Sequence, residues 1–188
     1  MPLNLPNLVT LLRILLIPLI VGVFYLPDAW LGDEGKNIAA TAIFVVAAIT
    51  DWLDGYLARK LNQMSAFGAF FDPVADKLVV VGALIILLHL NRVDMVVALI
   101  IIGREIAISA LREWMAQLGQ AKSVAVAFIG KLKTVLQMVA IPLLLFEDQL
   151  FGIVECHALG TVLIYVAALL TVVSMLYYLR KALPLMRG

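Results

Sequence analysis

Six long apolar stretches joined by short polar connections constrain this chain more than any other feature. The first runs over about residues 5–26, the second is apolar from about 37 to 49, and the third covers about 70–90. The fourth runs from about 93 into the amphipathic segment LREWMAQLGQAKS, and the last two cover about 124–146 and 159–179. A bilayer-spanning helix needs about 20 apolar residues, so 188 residues accommodate six spans and leave no room for a separate soluble domain. Hydrophobic residues make up 64% of the chain and charged residues 14%, against about 45–50% and about 25% in soluble domains. Such a chain cannot cover its own apolar surface with polar groups. The expected fold is an all-α integral membrane protein of six transmembrane helices, with residues 1–188 forming a single domain.

The polar residues set the direction of threading. Arg59, Lys60, Arg112, Lys122, Arg180, Lys181 and Arg187 fall in the second and fourth connections and the C-terminus, while the first, third and fifth hold only Lys36 and Arg92. Cytoplasmic connections carry the excess of Lys and Arg, so both termini are expected in the cytoplasm. No Lys or Arg precedes Arg13 and no small-residue cleavage site closes the first stretch, which reads as a retained helix and not a signal peptide. The single Cys156 excludes an internal disulfide. A net charge of +1 argues against a nucleic-acid partner.

Chemistry concentrates between Asp51 and Asp76, in DWLDGYLARKLNQMSAFGAFFDPVAD. Asp51 and Asp54 are spaced to share one helix face, as are Asp72 and Asp76. A short connection makes the second and third spans antiparallel neighbours, so both pairs lie at one end of a hairpin. Four converging carboxylates repel and raise one another's pKa values. Divalent cations relieve that repulsion, and an all-oxygen set suits Mg²⁺ or Mn²⁺ over zinc. Two metals bridged by shared aspartates would form a clamp for phosphoryl chemistry. Gly55 and Gly68 leave room for a ligand, and Arg59 offers a fork for phosphate. His89, His157 and Cys156 all fall at the opposite end, which leaves an aspartate as the general base.

Plainer readings stand beside these. Asp72 before Pro73 is a common helix start with Asp as the cap, and Asp51 and Asp54 could carry ions in a small cation-coupled transporter. Lys60 reads as a membrane-surface anchor. Arg104 and Glu105 could pair within the bundle, and Lys131 and Lys133 could meet anionic headgroups. Trp52, Trp114, Tyr177 and Tyr178 read as interface belt or core.

The spacing D-x2-D-G-x2-A-R-x8-G-x3-D-x3-D, carried by Asp51, Asp54, Gly55, Ala58, Arg59, Gly68, Asp72 and Asp76, resembles the signature of the CDP-alcohol phosphatidyltransferases. Asn7, Thr10 and Arg13, with the REIAISALREWMAQLG and GKLKT segments, are similar to the bacterial phosphatidylglycerophosphate synthases within that family. The resemblance implies six transmembrane helices, a homodimer, a bacterial inner-membrane location and a cavity facing the cytoplasm. It implies CDP-diacylglycerol bound through its pyrophosphate on two ions, Mg²⁺ or Mn²⁺, and an acceptor hydroxyl attacking the β-phosphate with release of CMP. By the motif, Asp51, Asp54 and Asp72 would hold one metal, and Asp51, Asp72 and Asp76 the other, with Asp76 also the general base. Gly55, Ala58, Arg59 and Gly68 would line the CDP-diacylglycerol pocket with Asp54, helped by Asn7 and Thr10. Glycerol 3-phosphate as acceptor calls for further cations, for which Arg104, Arg112, Lys131 and Lys133 are the candidates. Inositol phosphate would need the same charges, and serine fewer.

Overall fold

Segments this apolar have no water with which to satisfy backbone N–H and C=O groups, so they satisfy them internally as helices. A computed structural model describes the backbone of residues 5–60, 66–119, 128–150 and 152–186, with the side chains at 5–7, 52, 54–59, 66, 67, 69 and 184–186 outside the description. Six helices result: α1 (Leu5–Phe24), α2 (Asp33–Lys60), α3 (Ala66–His89), α4 (Met95–Gln117), α5 (Phe128–Phe146) and α6 (Cys156–Met186). An antiparallel pair, β1 (Gln149–Leu150) with β2 (Val154–Glu155), links the last two.

Helix boundaries differ from the apolar pattern where polar residues favour the first or last turn. The second helix begins at Asp33 because Asp33 and Glu34 sit in its first turn, where the unpaired N–H groups favour negative charge. It then runs unbroken through the motif to Lys60, where the sequence reads as a connection. Pro73 lies inside α3, so Asp72 is not the cap of that helix and its carboxylate is available to the site. Asp94, not Asp72, is a cap: its side chain accepts from the Val96 N–H at 2.7 Å and starts α4. Beyond Gln117, Gly119 takes φ +71°, the left-handed conformation with which glycine closes a helix.

Packing follows membrane rules. Helix α1 lies against α2 and α3, α2 against α5, and α6 against both α4 and α5. Where helices meet, small residues let the backbones approach: Ala40, Ala47, Ala83, Ala98, Ala140 and Ala167 are buried. Gly160 meets Leu144 so closely that a β-carbon there would come within 2.8 Å of the Leu144 Cγ. Large apolar side chains, among them Leu15, Leu99, Val162 and Leu169, point outward. A soluble protein rarely shows so continuous an apolar surface. Among the described residues, Phe128–Phe146 and Cys156–Leu183 are long and apolar enough to cross a bilayer, and Leu8–Phe24 is a shorter apolar helix.

The core divides the bundle into two polar ends. Ile20, Phe44, Leu84, Ile101, Ile141 and Leu144 form its centre. At one end, the Arg92 guanidinium donates to the Leu145 carbonyl at 2.9 Å, the Leu144 carbonyl at 3.3 Å and the Asn37 Oδ1 at 2.9 Å. It also pairs with Glu147. Those carbonyls are the last of α5 and have no partner within the helix, so Arg92 ties the third connection to α5 and α2. Burial lowers the pKa of Arg92, while Glu147 and Asp148 pull it back up, and an arginine so placed stays cationic. His157 stands 4.0 Å from Glu147 at this same end.

Candidate active site

The opposite end gathers the N-terminal halves of α1, α3 and α5 with the C-terminal halves of α2, α4 and α6. A cavity of about 370 Å³ opens there, lined on one side by Arg13, Asp51, Asp72, Asp76 and Lys77 and on the other by Glu105, Arg112, Lys133, Thr134 and Gln137. The helical spacing places Asp72 and Asp76 one turn apart on α3, facing Asp51 on α2. The Asp51 and Asp76 side chains are 43% and 46% exposed within an otherwise apolar bundle, which is the exposure of groups lining an open chamber.

Arg13 of α1 organises these acids. Its side chain is 1% exposed, and one guanidinium nitrogen lies 2.9 Å from the Asp51 Oδ1 while also bonding the Asp76 Oδ1. Thr10, one turn earlier, donates its hydroxyl to the Asp72 Oδ1 at 2.7 Å. Lys77 turns away from the carboxylates and donates to the Pro73 carbonyl at 2.8 Å. Among the described residues, no three acids stand close enough together to hold a metal as placed. The donor set nevertheless fits a hard divalent cation: the described lining offers carboxylates with no His or Cys, and Asp51 and Asp76 already converge on one positive group. Hard oxygen ligands of this kind suit Mg²⁺ or Mn²⁺.

Across the cavity the charges invert. Lys133 on α5 is buried and pairs with the Glu105 carboxylate of α4. Arg104 reaches the same Glu105 oxygen at 3.4 Å and donates to the Ser174 Oγ of α6 at 3.2 Å. A second cavity of about 380 Å³ adjoins the first and is lined by Arg104, Glu105, Arg112, Gly130, Lys131, Thr134 and Val135. Arg112, Glu105 and Thr134 face both spaces. Asp51, Asp72 and Asp76 thus share the cavity with Arg112 and Lys133, an arrangement able to hold a phosphorylated group between them.

Asp51, Asp72, Asp76, Arg112 and Lys133 share one cavity, and Arg104 and Lys131 line its neighbour. Gly68 is buried at the start of α3. Asn7, Asp54, Gly55, Ala58 and Arg59 lie on the α1 and α2 backbones, but their side chains fall outside the described residues. Glu105 pairs chiefly with Lys133, across helices, in addition to its neighbour Arg104. Sequence reasoning gave no role to Arg13 beyond the resemblance, although a lone arginine within an apolar span is itself a signal of function. It also passed over Gln137, whose buried Oε1 has no hydrogen-bond partner. Nothing in the sequence marks Ser174, and Tyr178 reads there only as belt or core; both are brought to Arg104 by the crossing of α4 and α6.

Known proteins resemble this chain over most of its length. The family model for CDP-alcohol phosphatidyltransferase matches residues 3–173. The chain is 50% identical over 184 residues to a CDP-diacylglycerol–glycerol-3-phosphate 3-phosphatidyltransferase of Escherichia coli (strain K12), covering 97% of this chain and 96% of that protein. A protein of the same name from Shigella flexneri serotype 5b (strain 8401) matches with the same identity and coverage. Matches of this extent leave little of the molecule unaccounted for, and the chain belongs to the CDP-alcohol phosphatidyltransferase family.

Proposed function

We propose that this protein transfers the phosphatidyl group of CDP-diacylglycerol to glycerol 3-phosphate, giving phosphatidylglycerophosphate and CMP. One observation carries the reading: Asp51, Asp72 and Asp76 face Arg112 and Lys133 across a single cavity. A donor of pyrophosphate and an acceptor bearing its own phosphate need that pairing of opposite walls. The printed names of the bacterial relatives support the same two substrates.

In this reading Asp76 accepts the proton of the acceptor hydroxyl. The freed oxygen forms a bond to the β-phosphorus of CDP-diacylglycerol, the bond from that phosphorus to the bridging oxygen breaks, and CMP leaves with the electron pair. Thr10 fixes the Asp72 carboxylate, and Arg13 orients Asp51 and Asp76 before substrate arrives. Asp51, Asp54, Asp72 and Asp76 would hold two ions, Mg²⁺ or Mn²⁺. Bound there, such ions supply positive charge against the pyrophosphate. By the motif, Asn7, Thr10, Asp54, Gly55, Ala58, Arg59 and Gly68 would bind CDP-diacylglycerol. Arg104, Arg112, Lys131 and Lys133 bind the acceptor phosphate.

The placement of this site supports a wider assignment. Residues 1–188 form one transmembrane domain of six spans with both termini in the cytoplasm, and the site opens to the cytoplasmic face of a bacterial inner membrane. The excess of Lys and Arg at the site end of the bundle favours that orientation. The protein acts as a homodimer, as the family resemblance implies. Family membership argues against the cation-coupled transporter.

The test is CMP release from CDP-diacylglycerol by purified protein with Mg²⁺ or Mn²⁺, with glycerol 3-phosphate, inositol phosphate and serine supplied separately. Release that depends on glycerol 3-phosphate is expected. Release with inositol phosphate or serine alone would reassign the acceptor, and release with none of the three would overturn the enzyme reading.

A further inference from the structure

We propose that Tyr178 is a positioning residue for the acceptor phosphate: its ring is the platform on which Arg112 and Arg104 are aimed. The proposal rests on the reading that these arginines bind the acceptor. The Arg112 Cζ lies 5.4 Å from the centre of the Tyr178 ring and the Arg104 Cζ 5.8 Å from it. Two turns of α4 separate the arginines, which puts both on the face toward α6. The ring is itself held in place. Tyr178 is fully buried and packs with Ile108, Leu111, Met115 and Ala182, a small apolar cluster apart from the main core. Tyr177 meets it edge to face from the exposed side, with ring centres 5.7 Å apart.

The chemistry explains what the ring adds beside the Glu105 carboxylate, which accepts from Arg104 at 3.4 Å. A carboxylate would hold a guanidinium by accepting its N–H bonds and would repel an incoming phosphate. An aromatic face attracts the cation through its quadrupole and takes none of those donors. Among the described residues, the Nε atoms of Arg104 and Arg112 are buried with no hydrogen-bond partner, so no carboxylate there takes them. Arg104 has one further restraint from the same helix, the Ser174 Oγ at 3.2 Å. That hydroxyl donates to the Thr171 carbonyl at 2.9 Å, so it meets Arg104 as an acceptor. Among the described residues no such anchor holds Arg112, which faces both cavities, and the ring is its guide there. A planar fork held in this way is suited to bidentate contact with phosphate.

Two phosphate sources exist in the reaction, the acceptor and the nucleotide-linked lipid, and the KM values separate them. In Tyr178→Leu the ring is lost while the site stays apolar, and KM for glycerol 3-phosphate is expected to rise about five- to thirtyfold, the span between an exposed and a desolvated cation–π contact. In that variant KM for CDP-diacylglycerol and kcat should change less than about twofold. Tyr178→Phe keeps the ring and should stay within about twofold of the unaltered protein on all three. An equal rise in both KM values, or a Phe variant as impaired as the Leu variant, would overturn the proposal. Titration of the same three proteins with inorganic phosphate in detergent reads the site without the reaction. Weaker phosphate binding in Tyr178→Leu but not in Tyr178→Phe is expected, and equal binding by all three would overturn the platform whichever acceptor is used. Failure of the acceptor assignment would show instead as absence of glycerol 3-phosphate-dependent CMP release by the unaltered protein.

Discussion

Arg13 and Asp76 show how much a single contact can carry at the scale of one residue. Asp76→Asn keeps the shape of the side chain but cannot take up a proton. Its kcat should fall about 10²- to 10⁴-fold, with the amount of folded protein in the membrane unchanged; an active variant would remove Asp76 from the role of base. Arg13→Leu tests the counter-charge. Removing one partner of a buried pair costs about 3–5 kcal/mol, and because Asp51 and Asp76 are each nearly half exposed the loss here should be nearer 1–3 kcal/mol. Thermal unfolding in detergent would show it, and Mn²⁺ should recover more of the loss in Arg13→Leu than in Arg13→Lys, because the ion replaces the missing charge. A deficit indifferent to the ion would make Arg13 a packing residue only. The acids were legible in the sequence because their spacing is that of a helix face. Arg13 reaches Asp76 across a sequence separation of 63, and no local periodicity encodes such a pairing.

Among the helices, the contact of α5 with α6 is the most sensitive to side-chain volume. A β-carbon at Gly160 would stand 2.8 Å from the Leu144 Cγ and 3.2 Å from the Leu143 Cβ. Gly160→Val should therefore push the two helices apart and cost about 1–3 kcal/mol, read as a lower unfolding temperature in detergent. An unchanged temperature would mean that Leu144 moves aside freely. The existence of all six helices could be read from hydropathy, whereas several of their ends could not. Helix α2 continues through polar residues to Lys60, and Pro73 is absorbed within α3 instead of starting it. The β1–β2 pair falls within the fifth connection, where Leu150 and Val154 belong to an apolar run too short to announce a hairpin.

For the whole molecule, orientation is the most direct prediction. In a Cys156→Ala background, cysteines replacing Trp30 or Ile153, both well exposed at the Arg92 end, should react with a membrane-impermeant maleimide added to intact cells. Cysteines replacing Lys60 or Gln117, exposed at the other end, should react only after the membrane is opened, and the reverse pattern would invert the topology. The alternation of Lys and Arg is the basis for that expected orientation, while the pairing of α4 with α6 is visible only in three dimensions. Between the two ends lies the layer of Ile20, Phe44, Leu84, Ile101 and Ile141. A bare ion crossing such a layer would lose its hydration at a cost of tens of kcal/mol. The bundle is in this sense an electrical insulator with a reaction chamber cut into one face. Vesicles reconstituted with the protein should hold a pH gradient as long as protein-free vesicles do. A cell can then carry many copies without draining the potential across the membrane they are built into.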